Sequence, residues 1–242
     1  MVNLSFKYNP KGHIGSELLP STLVLPQGGF YTFVGPPSEG KGTLLKLLGE
    51  VLIPYFPGFE RSSAAGTGDL IMPSHLRVLH VAKDPMFTQD TLLDNLTFGC
   101  VKGTGDDKMD RVLKICQRLQ VPDHIQRTVR ENTLRCKWLD MLSSTDSALL
   151  HVVRALVANP EVLVIHKPAL FLNNEMSDLM YTVLKDYVDN RGLECGGNVH
   201  GRRPRTCIVS ARRIAGAGAQ VADAVFTVSK KLGLRHVAKT AA

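Results

Sequence analysis

The stretch Gly35-Pro36-Pro37-Ser38-Glu39-Gly40-Lys41-Gly42-Thr43 carries residue types at a spacing that bears on chemistry. Glycine, four residues, glycine and lysine form the pattern of a loop that cradles phosphate groups. The physical reasons are separate and additive in kind. Glycine lets the backbone come close to phosphate oxygens. The start of the following helix offers unpaired N–H groups and partial positive charge. Lysine adds a compact point charge for the β- and γ-phosphates. One position breaks the pattern. Where such loops place Ser or Thr to hold Mg²⁺, this chain has Gly42. Thr43 has a hydroxyl, but one residue along a helix is roughly 100° around its axis, so it does not simply take over. Three more features work against the loop. Ser38 stands where the turn favours positive φ. Glu39 sets a carboxylate beside the phosphates. Pro36 and Pro37 withhold two N–H donors.

Elements on either side must position this loop. Phe30-Tyr31-Thr32-Phe33-Val34 is an apolar run that reads as a strand leading in. Leu44, Leu45, Leu47 and Leu48 give the helical spacing leading out. Upstream, residues 2–8 alternate apolar and polar as a half-buried strand does, and residues 22–25 read as another, with Gly28-Gly29 turning before the run at 30. Residues 54–68 are rich in Pro, Gly, Ser and Ala and read as loop. Residues 76–82 read as a strand, and from about 89 to 159 the pattern is mostly helical, clearest over 110–119 and 147–158. Residues 161–165 form a short continuous apolar run, as in a parallel strand covered on both faces. A helix over 179–188 and strands over 206–210 and 225–229 follow, and residues 235–242 read as a frayed tail.

The totals bound the reading. The 242 residues, 44% hydrophobic, suit one large α/β domain or two small ones. The net charge of +7 favours anionic partners in a general way. It does not point to nucleic acid, since a solvated lysine excess accounts for it, and the basic Gly/Arg stretch 195–205 reads as a solvated loop. The 5 cysteines are odd in number and none forms a C-x-x-C pair, so reduced thiols fit better than a disulfide framework or metal site. Polar Asn3, Ser5 and Lys7 stand where a secretion signal needs an apolar block, and no run of about 18 apolar residues is present.

Several segments also fall in one known order. From about Val2 to Gly233 the chain resembles the nucleotide-binding domain of ATP-binding cassette (ABC) transporters, nearest to the exporter type. Tyr8 resembles the aromatic residue that stacks on adenine in that family. Gly35 to Thr43 resembles its Walker A loop. Val81-Ala-Lys83-Asp-Pro85 stands in the place of its Q-loop, and Thr91 to Gly99 is similar to the exporter segment that follows. Leu142-Ser-Ser-Thr-Asp146 sits where its signature belongs, and Arg154 to Pro160 matches the end of the signature helix. Leu163 to Pro168 occupies the place of Walker B, and Ile208 to Arg212 that of the H-loop strand.

The departures gather where the family does its chemistry. Lys83 replaces the Q-loop glutamine, His166 the Walker B aspartate, Lys167 the catalytic glutamate and Ala211 the H-loop histidine. Ser144, Thr145 and Asp146 replace the signature's glycines and glutamine, and Asn173 the D-loop aspartate. A lysine with an unperturbed pKa near 10.4 does not accept a proton as a carboxylate does, and Ala211 has no polar side chain. Losing one such contact costs about 3–4 kcal/mol in rate. The resemblance therefore implies an ATP-hydrolysing family whose activity this chain has lost at the catalytic positions.

The expected fold is α/β of the ABC ATPase type: a mainly parallel sheet flanked by helices, an antiparallel N-terminal sheet, and a helical subdomain. One domain over 1–242 is expected, with a core lobe of 1–88 and 160–235 and a helical part of 89–159. The resemblance implies weak ATP binding through Tyr8, Gly35, Ser38, Glu39, Gly40, Lys41, Gly42 and Thr43. The missing metal-holding groups argue against Mg²⁺, with Lys41, His166 and Lys167 expected near one another and partly replacing it. Implied partners are the transmembrane domains of a transporter and a second nucleotide-binding domain, at the cytoplasmic face of a membrane. The alternative is a P-loop scaffold that binds no nucleotide. Thr91 to Gly99 is expected to be a partner surface.

Overall fold

The computed structural model describes residues 1–2, 4–7, 17–53, 69–101, 104–211 and 216–237. They form two compact units. The first holds Met1–His80, Val162–Lys167 and Thr206–Ala242; the second holds Val81–Glu161 and Pro168–Arg205.

The first unit is built on a six-stranded sheet and a two-stranded one. In the small sheet, β1 (Leu4–Lys7) pairs antiparallel with β2 (Glu17–Ser21). The strand expected over 22–25 therefore lies earlier, at 17–21. Pro20 hides it from a sequence reading, because proline suits only strands with an unpaired side, and a two-stranded sheet supplies one. In the large sheet the order is β4 (Val78–Val81), β5 (Val162–Ile165), β6 (Thr206–Ser210), β3 (Phe30–Val34), β7 (Ala224–Ser229) and β8 (Gly233–Val237). β3 runs parallel to both β6 and β7, and β5 runs parallel to β6, while β7 and β8 form an antiparallel hairpin. β8 takes in Arg235–Val237, so the chain there is strand, not frayed tail. Every residue of β3, β5 and β6 is buried. That is the unbroken apolar pattern of parallel strands covered on both faces.

Helix α1 (Lys41–Leu48) follows β3 and packs on β5 and β6. Leu44, Leu45 and Leu47 are fully buried with Phe33, Val164 and Ile208. Each such side chain stabilises the fold by about 1.5–3 kcal/mol relative to exposure. The consequence for function is positional. β5, β6 and β3 are neighbours running the same way, so their C-terminal ends bring residues 166–167, 210–211 and 35–41 to one edge. That is where open α/β sheets bind ligands.

The second unit is mainly helical. It comprises α2 (Leu92–Thr97), α3 (Met109–Arg118), α4 (Asp123–Glu131), α5 (Trp138–Met141), α6 (Ser144–Ala158) and α7 (Asn174–Asp189). α7 begins five residues before the expected 179 because Asn173 caps it, its side chain accepting the Met176 N–H at 2.8 Å. The unit takes in the helical stretch expected over 89–159 and also residues 168–205. Arg111 of α3 is buried and donates to the carbonyls of Asp106, Leu156, Val157 and Leu193, tying the end of α6 to the chain beyond α7. Among the described residues no helix is long and apolar enough to cross a membrane.

Candidate functional site

The loop from 35 to 40 is held by conformations that its residues tolerate unequally. Gly35 has φ 147°, and a Cβ there would come within 2.6 Å of the Val228 carbonyl of β7, so only glycine fits. Gly40 caps α1 at φ 93°. Ser38 also lies at positive φ, 63°, as its place in the loop led one to expect. A non-glycine residue there is strained by about 1–2 kcal/mol. Glu39 does not point its carboxylate into the loop unopposed: its Oε2 accepts the Lys230 N–H at 2.6 Å, at the β7–β8 turn.

Lys41 is only 5% exposed. Its Nζ donates to the carbonyls of Gly35 and Pro36, both at 2.6 Å. Burial pulls the lysine's pKa down, the Lys167 charge pulls it further, and Glu39 opposes both. Thr43 is buried within the first turn of α1.

The edge opposite the loop is made by the ends of β5 and β6. His166 follows β5, and its Nδ1 lies 3.0 Å from the Ser210 Oγ at the end of β6. The same Oγ accepts the Lys167 N–H at 3.0 Å. Ser210 thus pins both residues that follow β5. Lys167 itself sits at φ 54°, a strained conformation of the kind that collects at functional sites. The His166 pKa is lowered to about 4 by burial first, then by Lys167, His80, Lys41 and Lys46. The ring is therefore neutral near pH 7. Ala211 follows β6, its N–H bonded to the Phe33 carbonyl at 2.9 Å. Its methyl group offers nothing polar to a ligand.

Lys41, His166 and Lys167 do come together, as the sequence led one to expect. Ser210, Lys46 and His80 belong to the same surroundings and were missed. The one signal for Ser210 was a hydroxyl ending an otherwise apolar run, Cys207-Ile208-Val209-Ser210. Tyr8 lies outside the described residues.

The donor set does not suit Mg²⁺. That ion takes oxygen ligands in near-octahedral order. Here Gly42 has no hydroxyl, and the His166 ring covers it: a Cβ on Gly42 would lie 3.4 Å from His166 Cε1 and 3.6 Å from Nε2. Among the described residues no three His, Cys, Asp or Glu side chains converge on a point that a metal ion would occupy.

The remaining family positions lie in the second unit, and their side chains have local partners. The Ser143 Oγ caps α6, accepting the Asp146 N–H at 3.1 Å and donating to the Asp146 carboxylate at 2.6 Å. Thr145 donates to the Phe171 carbonyl at 3.0 Å. Lys83 is exposed and pairs with Asp84 at 3.7 Å. Thr91 caps α2 as Ser143 caps α6, bonded to the Asp94 N–H and carboxylate. Phe98, just past α2, is 80% exposed. The basic stretch 195–205 is not a loosely solvated loop. Arg202 donates to the carbonyls of Asn190, Cys195, Gly196 and Gly197, and Arg205 is buried against Glu161 at 3.2 Å.

A mainly parallel sheet whose central strand leads through a glycine loop into a helix, in a chain that also forms a helical unit, is the fold of an ABC-type nucleotide-binding domain. Comparison with known proteins gives the same answer. The fold resembles a dimeric ATP-binding cassette in a post-hydrolysis state bound to ADP and Pi, with TM-score 0.63 and 16% identity over 98% of this chain and 100% of that one. It also resembles a bacterial Atm1-family ABC exporter with ATP bound, with TM-score 0.59 and 18% identity over 95% of this chain and 38% of that one. In sequence the chain is similar to the multidrug resistance-like ATP-binding protein MdlB of Buchnera aphidicola subsp. Schizaphis graminum, 28% identical over 186 residues, 75% of this chain and 30% of that protein. It is similar to the phosphonates import ATP-binding protein PhnC 2 of Oceanobacillus iheyensis, 23% identical over 189 residues, 72% of this chain and 70% of that protein. The spermidine/putrescine import ATP-binding protein PotA of Bacteroides fragilis is 28% identical over 71% of this chain and 35% of that protein. The chain thus spans about a third of the first curated relatives it matches. No protein-family model matches it.

Proposed function

We propose that this chain is the nucleotide-binding component of an ABC transporter, binding ATP weakly and hydrolysing little or none of it. The observation that carries the reading is the pairing of a Walker-type loop with a changed opposite edge. Gly35 and Gly40 adopt the positive φ such a loop uses, and Lys41 lies buried at the start of α1. Facing them in the family's order stand Lys167 and Ala211, which supply neither a general base nor a γ-phosphate contact. In this reading 89–159 acts as the helical subdomain, and Phe98 with α2 offers apolar surface to a membrane-spanning partner. A second nucleotide-binding domain faces the loop, and the assembly lies at the cytoplasmic face of a membrane. Substrate and direction of transport belong to those partners.

One observation favours the alternative, a scaffold that binds no nucleotide: the Lys41 ammonium is already bonded to two carbonyls of its own loop. Thermal melting with ATP, beside Lys41→Ala, separates the two. A shift of several degrees that vanishes in the variant, with phosphate release no faster than in the variant, is expected. No shift in either protein leaves the scaffold reading standing.

A further inference from the structure

The two departures nearest the loop touch each other. Gly42 lies under the His166 ring, with Cε1 and Nε2 nearer its missing Cβ, at 3.4 and 3.6 Å, than Nδ1, at 4.0 Å. A Cβ at 42 would be in ordinary van der Waals contact with the ring, so a serine or threonine hydroxyl there would have the imidazole as its neighbour. The two changes therefore adjoin: where a hydroxyl and a carboxylate would offer a cation two oxygens, this chain has a bare Gly42 with an imidazole beside it.

The ring is also held, not loosely packed. Ser210 Oγ fixes Nδ1 and binds the Lys167 N–H with the same oxygen. Nε2 is left on the side toward Gly42 and the first turn of α1. The groups that bear on the ring from every neighbouring element are Lys41 and Lys46 of α1, His80 of β4 and Lys167 of the 166–167 segment. All are cationic or imidazole. Glu39, the carboxylate of the loop, is bonded to the Lys230 N–H. Lys41, Lys46 and Lys167 thus make this place positive without a metal ion, the neutral imidazoles adding none of that charge. Mg²⁺ added to such a place adds charge to charge, and no carboxylate is among the groups that bear on the ring.

We infer that this loop takes the phosphate groups of a nucleoside di- or triphosphate as the free polyanion, with the charges of Lys41 and Lys167 in place of a divalent cation's and the neutral His166 ring beside them. The inference rests on the nucleotide-binding reading above and names the ionic form of the ligand. It makes Mg²⁺ a competitor, since the cation sequesters the free polyanion in solution.

The test is calorimetric titration of the full chain with ATP, once in EDTA and once in excess MgCl₂. Binding about tenfold tighter in EDTA is expected, a difference well resolved by such a titration. Lys167→Ala, which removes one of the charges proposed to replace the cation's, should weaken the EDTA binding by about tenfold. Gly42→Ser with His166→Asp should bind only when Mg²⁺ is present. Circular dichroism melting of each variant checks that it folds. Equal or tighter binding of wild type in MgCl₂ overturns the inference and leaves the nucleotide site standing. Absence of binding in both buffers overturns the inference and the nucleotide-binding reading together.

Discussion

His166 is a side chain whose charge the neighbourhood has settled. In the unfolded chain it binds a proton near pH 6.5, and in the fold only near 4. Between those values the unfolded chain holds a proton that the folded chain lacks. Stability contributed by the neutral ring is complete above about 6.5 and is lost as pH falls toward 4. The melting temperature should therefore drop between pH 7 and 4.5, and drop less in His166→Gln, whose side chain does not titrate. Equal slopes in the two proteins would show that other groups govern the acid limb. Each departure here was legible by itself in the sequence, as Gly42 and as His166. That one covers the other was not, because their contact needs the end of β5 beside the start of α1, a tertiary adjacency no local pattern encodes.

At the scale of elements, the helical unit is organised by hydroxyl and amide caps. Ser143 and Asp146 close the start of α6, Thr91 and Asp94 that of α2, and Asn173 that of α7. A sequence reader sees Ser-x-x-Asp as a helix start or as the remnant of a signature, and the bonds here supply the first. Ser143→Ala and Asn173→Ala should each cost about 1 kcal/mol. For a protein of this size that is about 2–4 °C in melting temperature, read by calorimetry. An unchanged melting temperature in both would mean that tertiary packing, not capping, fixes these helix starts. Elements were legible where burial imposed a strong period, as in β3, β5, β6 and α6. They were missed where it did not. β8 is an edge strand with Arg235 and His236 both exposed, whereas α4, with only Ile125 and Val129 at helical spacing, was legible just as part of the helical stretch 89–159.

At the scale of the whole molecule, among the described residues, Asp106 pairs with Arg111 and Glu161 with Arg205 as buried charges, and the second pair bears on the sheet. Glu161 and Arg205 immediately precede β5 and β6, whose register begins with Val162 opposite Thr206. Their ion pair, 3.2 Å long, continues that register by one residue, and the Arg205 Nε also donates to Asn159 at 3.0 Å. The side chains are 5% and 8% exposed. Removing one partner leaves the other charge buried and alone, at a cost of about 3–5 kcal/mol. Glu161→Leu should therefore unfold in urea at a much lower midpoint, whereas Glu161→Leu with Arg205→Met should recover most of the loss. A double variant as weak as the single one would mean that the arginine matters through Asn159 instead.

The Lys41 ammonium, resting on the carbonyls of Gly35 and Pro36, gives the loop a time dimension as well as a shape. If the loop takes a phosphate as proposed, the ammonium has one N–H left to offer it at once, and turning fully toward it would break two hydrogen bonds that the lysine already makes. Capture is then a two-step event: collision, followed by a swing of the side chain. The observed association rate would level off as ligand is raised, at the frequency with which Lys41 lets go. A loop that latches on itself sets a clock that ligand concentration does not hasten.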